Sequence, residues 1–286
     1  MKEDLSLESL RRRPHWSFSS INGLINFCSL KWAFQYVYRE EPLFTPVALV
    51  FGSVYHKALT FAFGRMARGE EVTSIECTEL FADLLSRKLA DCEPEIRLGE
   101  TDTIDSLIGC GQRIIAAYLE SVDTVETIHA VSVPFSVPLR ATDGTIAGKP
   151  LIGEFDLTVS AKDGTYTVVD WKTSSRRWPE TRARTDLQAT CYLFAHWMSV
   201  HEEARFRFDV VTKAKQPACE KYVTRRDPHS FDRLVHMVVA LERLIQAEAF
   251  TPQDGSWECR DCPYSLACQS WHRERASTQV HFDLAA

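Results

Sequence analysis

The segment Val168-Val169-Asp170-Trp171-Lys172-Thr173-Ser174 constrains this chain more than any other. Its β-branched and aromatic content predicts a strand, and side chains on a strand alternate faces, so Asp170 and Lys172 project together while Val169 and Trp171 point the other way. The preceding segment, Leu151-Ile152-Gly153-Glu154-Phe155-Asp156-Leu157, predicts a second strand. A three-residue hairpin loop centred on Asp163 would set Asp156 directly opposite Asp170. Two carboxylates and a lysine then share one face. Neighbouring carboxylates repel, and a divalent cation relieves the repulsion; hard oxygen ligands suit Mg²⁺ or Mn²⁺. Such an ion can polarise a phosphodiester and acidify an attacking water, with Lys172 positioning that water or stabilising charge on the phosphate. A lone Asp-x-Lys is more often a surface ion pair, so the rest of the chain decides.

Around these strands the pattern is mixed. Segments 20–39, 49–68, 75–90 and 103–121 carry apolar residues at three- and four-residue spacing, with Ser19 or Ser20 placed to cap the first helix. From 126 to 139, 151 to 160 and 166 to 172 the texture turns to β-branched alternation, the last two separated by Lys162-Asp163-Gly164. Segment 184–200 predicts a helix, 206–212 and 221–224 strands, and 230–248 a helix opened by Asp227-Pro228. Helices followed by strands, a helix, strands and a helix predict an α/β fold with a mixed central sheet and a helical N-terminal cover. At 286 residues we expect one domain over 1–286, with a helical part at 17–125, a core at 126–250 and a cysteine segment at 251–271.

Composition removes several classes of function. No run approaches the roughly 18 uninterrupted apolar residues of a membrane span, so no membrane role is expected. Residues 1–6 carry acids and no apolar export region, so a reducing cytoplasm is expected and nine cysteines there are not a disulfide framework. The net charge of -6 argues against a chain that coats nucleic acid. Its distribution is uneven: Lys172, Arg176, Arg177, Arg182 and Arg184 face only Glu180 in their stretch, which suggests a phosphate track beside the Asp-x-Lys strand. A second basic stretch, 205–226, reads equally well as ordinary surface.

Two further signals stand in register with the acids. Gln188 and Tyr192 are four apart on the next predicted helix and so share a face, and His56 follows Gly52 at the same spacing within an earlier one. The ordered set Gly52-x3-His56, Gly153-x2-Asp156, Asp170-x-Lys172 and Gln188-x3-Tyr192 resembles the RecB-like branch of the PD-(D/E)xK nucleases, over about 17–271. That resemblance implies a restriction-endonuclease-like fold and an Mg²⁺- or Mn²⁺-dependent hydrolase of DNA phosphodiester bonds. It further implies an exonuclease acting on single strands or DNA ends in recombination, repair, or CRISPR or phage DNA processing. It implies metal ligation by His56, Asp156, Asp170 and the Trp171 carbonyl, catalysis by Asp156, Asp170 and Lys172, and support from Gln188 and Tyr192. Many relatives carry Glu-x-Lys where this chain carries Asp-x-Lys.

The C-terminal run Cys259-x2-Cys262-Pro263-Tyr264-x3-Cys268 puts three thiols in ten residues, one ligand short of a tetrahedral or cubane site, and Cys28 is the best candidate for the fourth. Spacing alone accepts Zn²⁺ as readily as iron-sulfur. The arrangement resembles the iron-sulfur staple of AddB-type nucleases and of the CRISPR-associated adaptation nuclease, which implies a [4Fe-4S] cluster tying the two ends of the core together. Cys77, Cys92, Cys110, Cys191 and Cys219 lack such spacing and read as core. Trp16, Trp32, Trp171 and Trp197 also read as packing, whereas Trp178, among Arg176, Arg177, Arg182 and Arg184, is equally placed to stack on a base of bound DNA. The chain has no G-x4-G-K-[ST] signature, so ATP-driven unwinding would need a helicase partner, and a CRISPR integrase is the other partner the resemblance suggests. Two other readings stay open: a non-catalytic DNA-binding or scaffold subunit, and a zinc protein with an accidental Asp-x-Lys.

Overall fold

The computed structural model describes residues 6–123 and 125–283. Residues 1–5, most of the stretch read above for an export signal, lie outside the described residues.

The N-terminal part is helical: α1 (Leu7–Arg11), a two-residue β1 (Trp16–Ser17), α2 (Phe18–Asn26), α3 (Ser29–Ala33) and a π-helical turn at Phe34–Tyr38. The periodicity at 20–39 predicted one helix, and the structure breaks it. α2 ends at Asn26, where Phe27 turns extended, and Cys28 caps α3 through its sulfur, which accepts the Lys31 N–H at 3.4 Å. The cap of α2 is Ser17 rather than Ser19 or Ser20; Ser17 and Ser20 exchange hydrogen bonds as a capping box.

A two-residue β2 (Thr45–Pro46) leads into α4 (Val47–Ala67), followed by α5 (Ser74–Ala90), a short β3 (Ile96–Arg97) paired with β2, and α6 (Ile104–Glu120). α4 is long and apolar enough by composition to cross a membrane. Its Tyr55, Ala58, Leu59 and Ala62 are fully buried against α5 and α6, as in the core helix of a globular domain. Gly111 on α6 lets the Phe81 ring come so close that a Cβ there would lie 1.9 Å from it.

The sheet forms from β4 (Thr127–Val137), β5 (Leu151–Ser160), β6 (Tyr166–Ser174), β7 (Arg205–Thr212) and β8 (Cys219–Thr224), with β1 joining β5 in parallel at Leu151 and Ile152. It is mixed, as predicted: β4, β5 and β6 run antiparallel in turn, β6 and β7 run parallel, and β8 returns antiparallel to β7. α7 (Thr181–Thr185) and α8 (Leu187–Val200) make the crossover between the parallel strands, and α9 (Pro228–Gln246) follows β8 with Asp227 as its N-cap and Pro228 in its first turn. α10 (Ser265–Asp283) ends the described chain.

Each sheet face has its own core. On one side Val168, Phe206 and Phe208 pack with α2, α3, α8 and α9; on the other Val169, Trp171 and Val211 pack with α4, α5 and α6. Strand alternation assigns β6 side chains to these faces, so Asp170 and Lys172 emerge on the α8 side while Trp171 anchors the strand from behind. Trp171 is 0% exposed, and its indole N–H donates to the Tyr118 hydroxyl at 2.9 Å. That hydroxyl donates in turn to Asp209 at 2.7 Å. Arg207 binds Asp209 and also Glu126, so this member of the basic stretch at 205–226 is a buried structural ion rather than open surface.

Candidate active site

The hairpin that carries the acids closes through a turn whose Gly164 has φ +81, a left-handed conformation that favours glycine. β5 and β6 pair from Ser160↔Tyr166 to Leu157↔Val169 and then part. Asp156 and Asp170 are the next residues in that register, so they stand at the fork where the strands separate. The predicted opposition of the two acids therefore has the right register but lies just beyond the last ladder pair. There the Asp156 carboxylate joins the strands: Oδ2 accepts the backbone N–H of Trp171 at 2.9 Å.

His56, on α4, reaches the other oxygen, with Nδ1 3.2 Å from Asp156 Oδ1, and its ring lies edge-on to Trp171 at 5.9 Å. Asp170 is 2% exposed; its Oδ1 accepts from Gln188 Nε2 and its Oδ2 faces Lys172 Nζ at 2.6 Å. Asp170 Oδ2 is fully enclosed and that contact is an ion pair without hydrogen-bond alignment. Burial pushes the Asp170 carboxyl up to about 6; Lys172 and His56 pull against this and the Asp156 charge adds to it. Burial depresses the His56 imidazole, but the charge and hydrogen bond of Asp156 and the charge of Asp170 outweigh it and leave it above the usual value. Burial works against the Lys172 ammonium too, and Asp170 and Asp156 reverse the balance, so it stays charged. Tyr192 packs on Phe135 and Phe155 at 5.4 and 5.9 Å, and burial followed by the two carboxylates raises its phenol well above 10.

His56, Asp156, Asp170, Lys172, Gln188 and Tyr192 all line one open cavity of about 860 Å³. Gly153 lines the same wall, and a Cβ there would lie 2.5 Å from the Phe135 ring, which supplies the physical reason for the glycine in Gly153-x2-Asp156. Gly52 borders the cavity and its missing side chain leaves open space. Among the described residues no three His, Cys, Asp or Glu side chains already close on one point as an ion would require. The chemistry of the donors nevertheless fits a hard divalent cation. Two carboxylates stand at one fork, one oxygen of each is fixed by a neutral donor, and the remaining oxygens are matched by His56 and Lys172.

Several cavity residues escaped the sequence. Glu154 lies two before Asp156 and shares its face by strand alternation, a signal that could have found it; its Oε1 accepts from Ser132 Oγ at 2.5 Å. Arg11, His15, Lys57 and Tyr36 also border the cavity. Arg11 sits on a five-residue helix too short to show a period, and Tyr36 on the π-helical turn hidden inside the apparent long helix.

The predicted DNA-contact residues do not form one track. Arg176 and Arg177 are exposed beyond β6, with Arg177 paired to Glu220 at 3.1 Å. Arg182 lies over Trp178 at 3.8 Å, and Arg184 borders a separate cleft. Trp178 corrects the expectation of a stacking platform: it is 7% exposed, packed on Phe208 and Tyr222, and its carbonyl accepts from the Tyr222 hydroxyl. Among the other cysteines Cys77 and Cys191 are fully buried, as expected of core residues, while Cys92, Cys110 and Cys219 are half-buried. Cys28, Cys259, Cys262 and Cys268, from opposite ends of the chain, border one cavity of about 210 Å³.

Comparison with known proteins bears on the family and the fold. No curated protein matches the chain in sequence. A solved structure from Eubacterium rectale, named a "putative exonuclease", shares 13% identity over 91% of this chain and 92% of that one, with a TM-score of 0.52, which is a likeness of fold. A second, named SSO0001, is 12% identical over 85% of this chain and 93% of that one, and its TM-score of 0.33 is too low to support an argument. Residues 15–269 match the profile of the PD-(D/E)XK nuclease superfamily, a span that holds His56, Asp156, Asp170, Lys172 and the four clustered cysteines, and the chain belongs to that superfamily.

Proposed function

We propose that this protein is a divalent-metal-dependent DNA nuclease of the RecB-like branch, working as an exonuclease on single strands or DNA ends. The observation that carries the reading is the convergence of Asp156, Asp170, Lys172 and Gln188 on one cavity at the point where β5 and β6 part. Asp156, Asp170, His56 and the Trp171 carbonyl would hold Mg²⁺ or Mn²⁺. When bound, the ion supplies Lewis acidity toward the phosphodiester and lowers the pKa of a nearby water. The chain's own groups do the rest. Gln188 fixes one oxygen of Asp170 while Lys172 lies against the other, and the Trp171 N–H fixes one oxygen of Asp156 and leaves its second beside His56. Lys172, charged and held at the cavity wall, orients the attacking water and offsets charge that develops on the phosphate.

The cysteine cavity supports a [4Fe-4S] cluster held by Cys28, Cys259, Cys262 and Cys268, with Zn²⁺ as the alternative. The four cysteines border one cavity, and Cys28 and Cys262 lie near enough to Cys268 to add to the rise that burial gives its thiol. A group there would tie α3 to the segment before α10 and so close the nuclease core across its ends. Anaerobically purified protein should be brown with broad absorption near about 400 nm, and colourless protein with stoichiometric zinc would select the alternative.

The test of the nuclease reading is a time course on end-labelled single- and double-stranded DNA with Mn²⁺, Mg²⁺ or EDTA. Metal-dependent degradation with a ladder from one end supports an exonuclease. Intact DNA with folded, cluster-loaded protein would favour a DNA-binding subunit.

A further inference from the structure

A second cleft, of about 720 Å³, opens between the end of α2, the start of α8 and the first turns of α9. Arg184, Arg225 and Arg233 border it. All three are exposed, and among the described residues none of their guanidinium groups has an ion-pair partner. Arg226 plays a different part: its guanidinium donates to Thr190 Oγ1, Thr224 Oγ1 and the carbonyls of Ala183, Arg225 and Asp186, and so builds the cleft floor. Among the described residues the one acid at the cleft, Asp227, is engaged in capping α9 through Ser230, at 2.8 Å to its N–H and 2.7 Å to its hydroxyl. Three uncompensated cations thus share a concave site in a chain of net charge -6, where the local field attracts anions against the overall charge.

The cleft is coupled to the catalytic cavity by two helices. On α8, Gln188 and Tyr192 face the cavity while Leu187 and Thr190 face the cleft. α2 runs from one to the other, with Phe18 and Ser19 at the cavity and Ile25 and Asn26 at the cleft. At about 1.5 Å per residue the stretch of α2 from Phe18 at the cavity to Asn26 at the cleft spans roughly 12 Å, a reach that a short single strand covers.

We propose that the Arg184, Arg225 and Arg233 cleft is a second phosphate site, which holds the backbone of the strand whose scissile bond lies at Asp156 and Asp170. Guanidinium groups match phosphate oxygens in a fork geometry, and the spacing to the cavity selects a polynucleotide over an isolated anion. The inference rests on the nuclease reading, and the experiment separates the two. The double variant Arg225→Gln/Arg233→Gln is compared with wild type on a single-stranded oligonucleotide of about twelve nucleotides and on the p-nitrophenyl ester of thymidine 5′-monophosphate, which has no second phosphodiester to reach the cleft. Oligonucleotide affinity, measured by fluorescence anisotropy in EDTA, should fall roughly tenfold. The log-log salt slope should become shallower by about 1.4 for two lost phosphate contacts. With Mn²⁺, cleavage of the small ester should match wild type. Unchanged affinity and salt slope in the variant would overturn the cleft. A wild type that cleaves neither substrate would overturn the nuclease reading, while the binding comparison would still decide the cleft.

Discussion

Asp156 on β5 and Trp171 on β6 are joined by a carboxylate-to-amide hydrogen bond, Oδ2 to backbone N–H at 2.9 Å, at the place where the two strands stop pairing. The same side chain therefore serves two ends. It fixes the backbone that carries Asp170 and Lys172, and it presents its other oxygen to the cavity beside His56.

This double use separates two substitutions. Asp156→Asn retains an oxygen for the Trp171 N–H, so its stability should stay within about 1 kcal/mol of wild type while metal-dependent cleavage is lost. Asp156→Ala leaves that N–H unpaired and should cost a further 1–3 kcal/mol, roughly. Urea unfolding of both variants checks this, and equal stability of the two would show that the tie contributes nothing.

The site's proton balance predicts how metal affinity follows pH. Burial pushes Asp170 up to about 6, and Asp156 and Asp170 carry His56 above the usual imidazole value against its burial. Both folded values exceed the unfolded ones, so without metal both groups bind protons more readily in the folded state. Their contribution favours the folded state at acid pH; it fades for Asp170 as pH rises through about 6 and for His56 as pH rises past its raised value. Metal ligation needs the deprotonated forms. Mn²⁺ affinity should therefore fall by about tenfold per pH unit for each proton released as pH drops below His56's raised value and then below about 6. Calorimetric titration between pH 5.5 and 8 measures the slope, and a flat profile would remove these two groups from the ligand set.

Gln188 lines the cavity and holds Asp170 through its side-chain amide. Gln188→Ala should lower turnover by about 10–100-fold, the usual effect of losing a group that orients a metal ligand, and should weaken Mn²⁺ binding in parallel. Gln188→Glu adds a carboxylate beside Asp170 and should shift the acid limb of the pH–rate profile upward. A turnover loss without any change in metal affinity or pH profile would make Gln188 a packing residue.

Trp178 lies inside the fold beneath Arg182. Trp178→Leu should cost about 2–4 kcal/mol of stability by leaving space against Phe208 and Tyr222. Single-strand affinity of the folded variant should stay within about twofold, whereas the loss of a base stack, about 1–3 kcal/mol, would raise Kd at least fivefold. Anisotropy titration at a temperature where the variant is folded distinguishes these outcomes.

How much of this was legible in the sequence follows from the range of each signal. β5 and β6 were readable because alternation and one turn fix a hairpin locally, and the register of Asp156 with Asp170 came with it. The fork itself was not, since it arises from a side chain replacing a ladder bond. Helical period brought Gln188 and Tyr192 to one face, and the structure puts them in one cavity with His56 from a helix more than a hundred residues earlier. The same period hid the break at Cys28, because the chain stays apolar across it. Runs of arginine were misleading in another way. Charge along the sequence does not tell that Arg207 turns inward to Asp209, that Arg226 is consumed by backbone carbonyls, or that Arg184 meets Arg225 and Arg233 from distant elements.

In the proposed reading the fork of β5 and β6 is a nuclease centre in which Lys172 acts on the reacting phosphate. Its most direct test is single-turnover cleavage of end-labelled single-stranded DNA by Lys172→Ala, at an Mn²⁺ concentration shown by titration to fill wild type and variant equally. The expected result is a loss of at least about a hundredfold, the lower range for a group acting in proton transfer or charge stabilisation at a transition state, with DNA affinity retained. Cleavage at the wild-type rate by metal-loaded Lys172→Ala would contradict it.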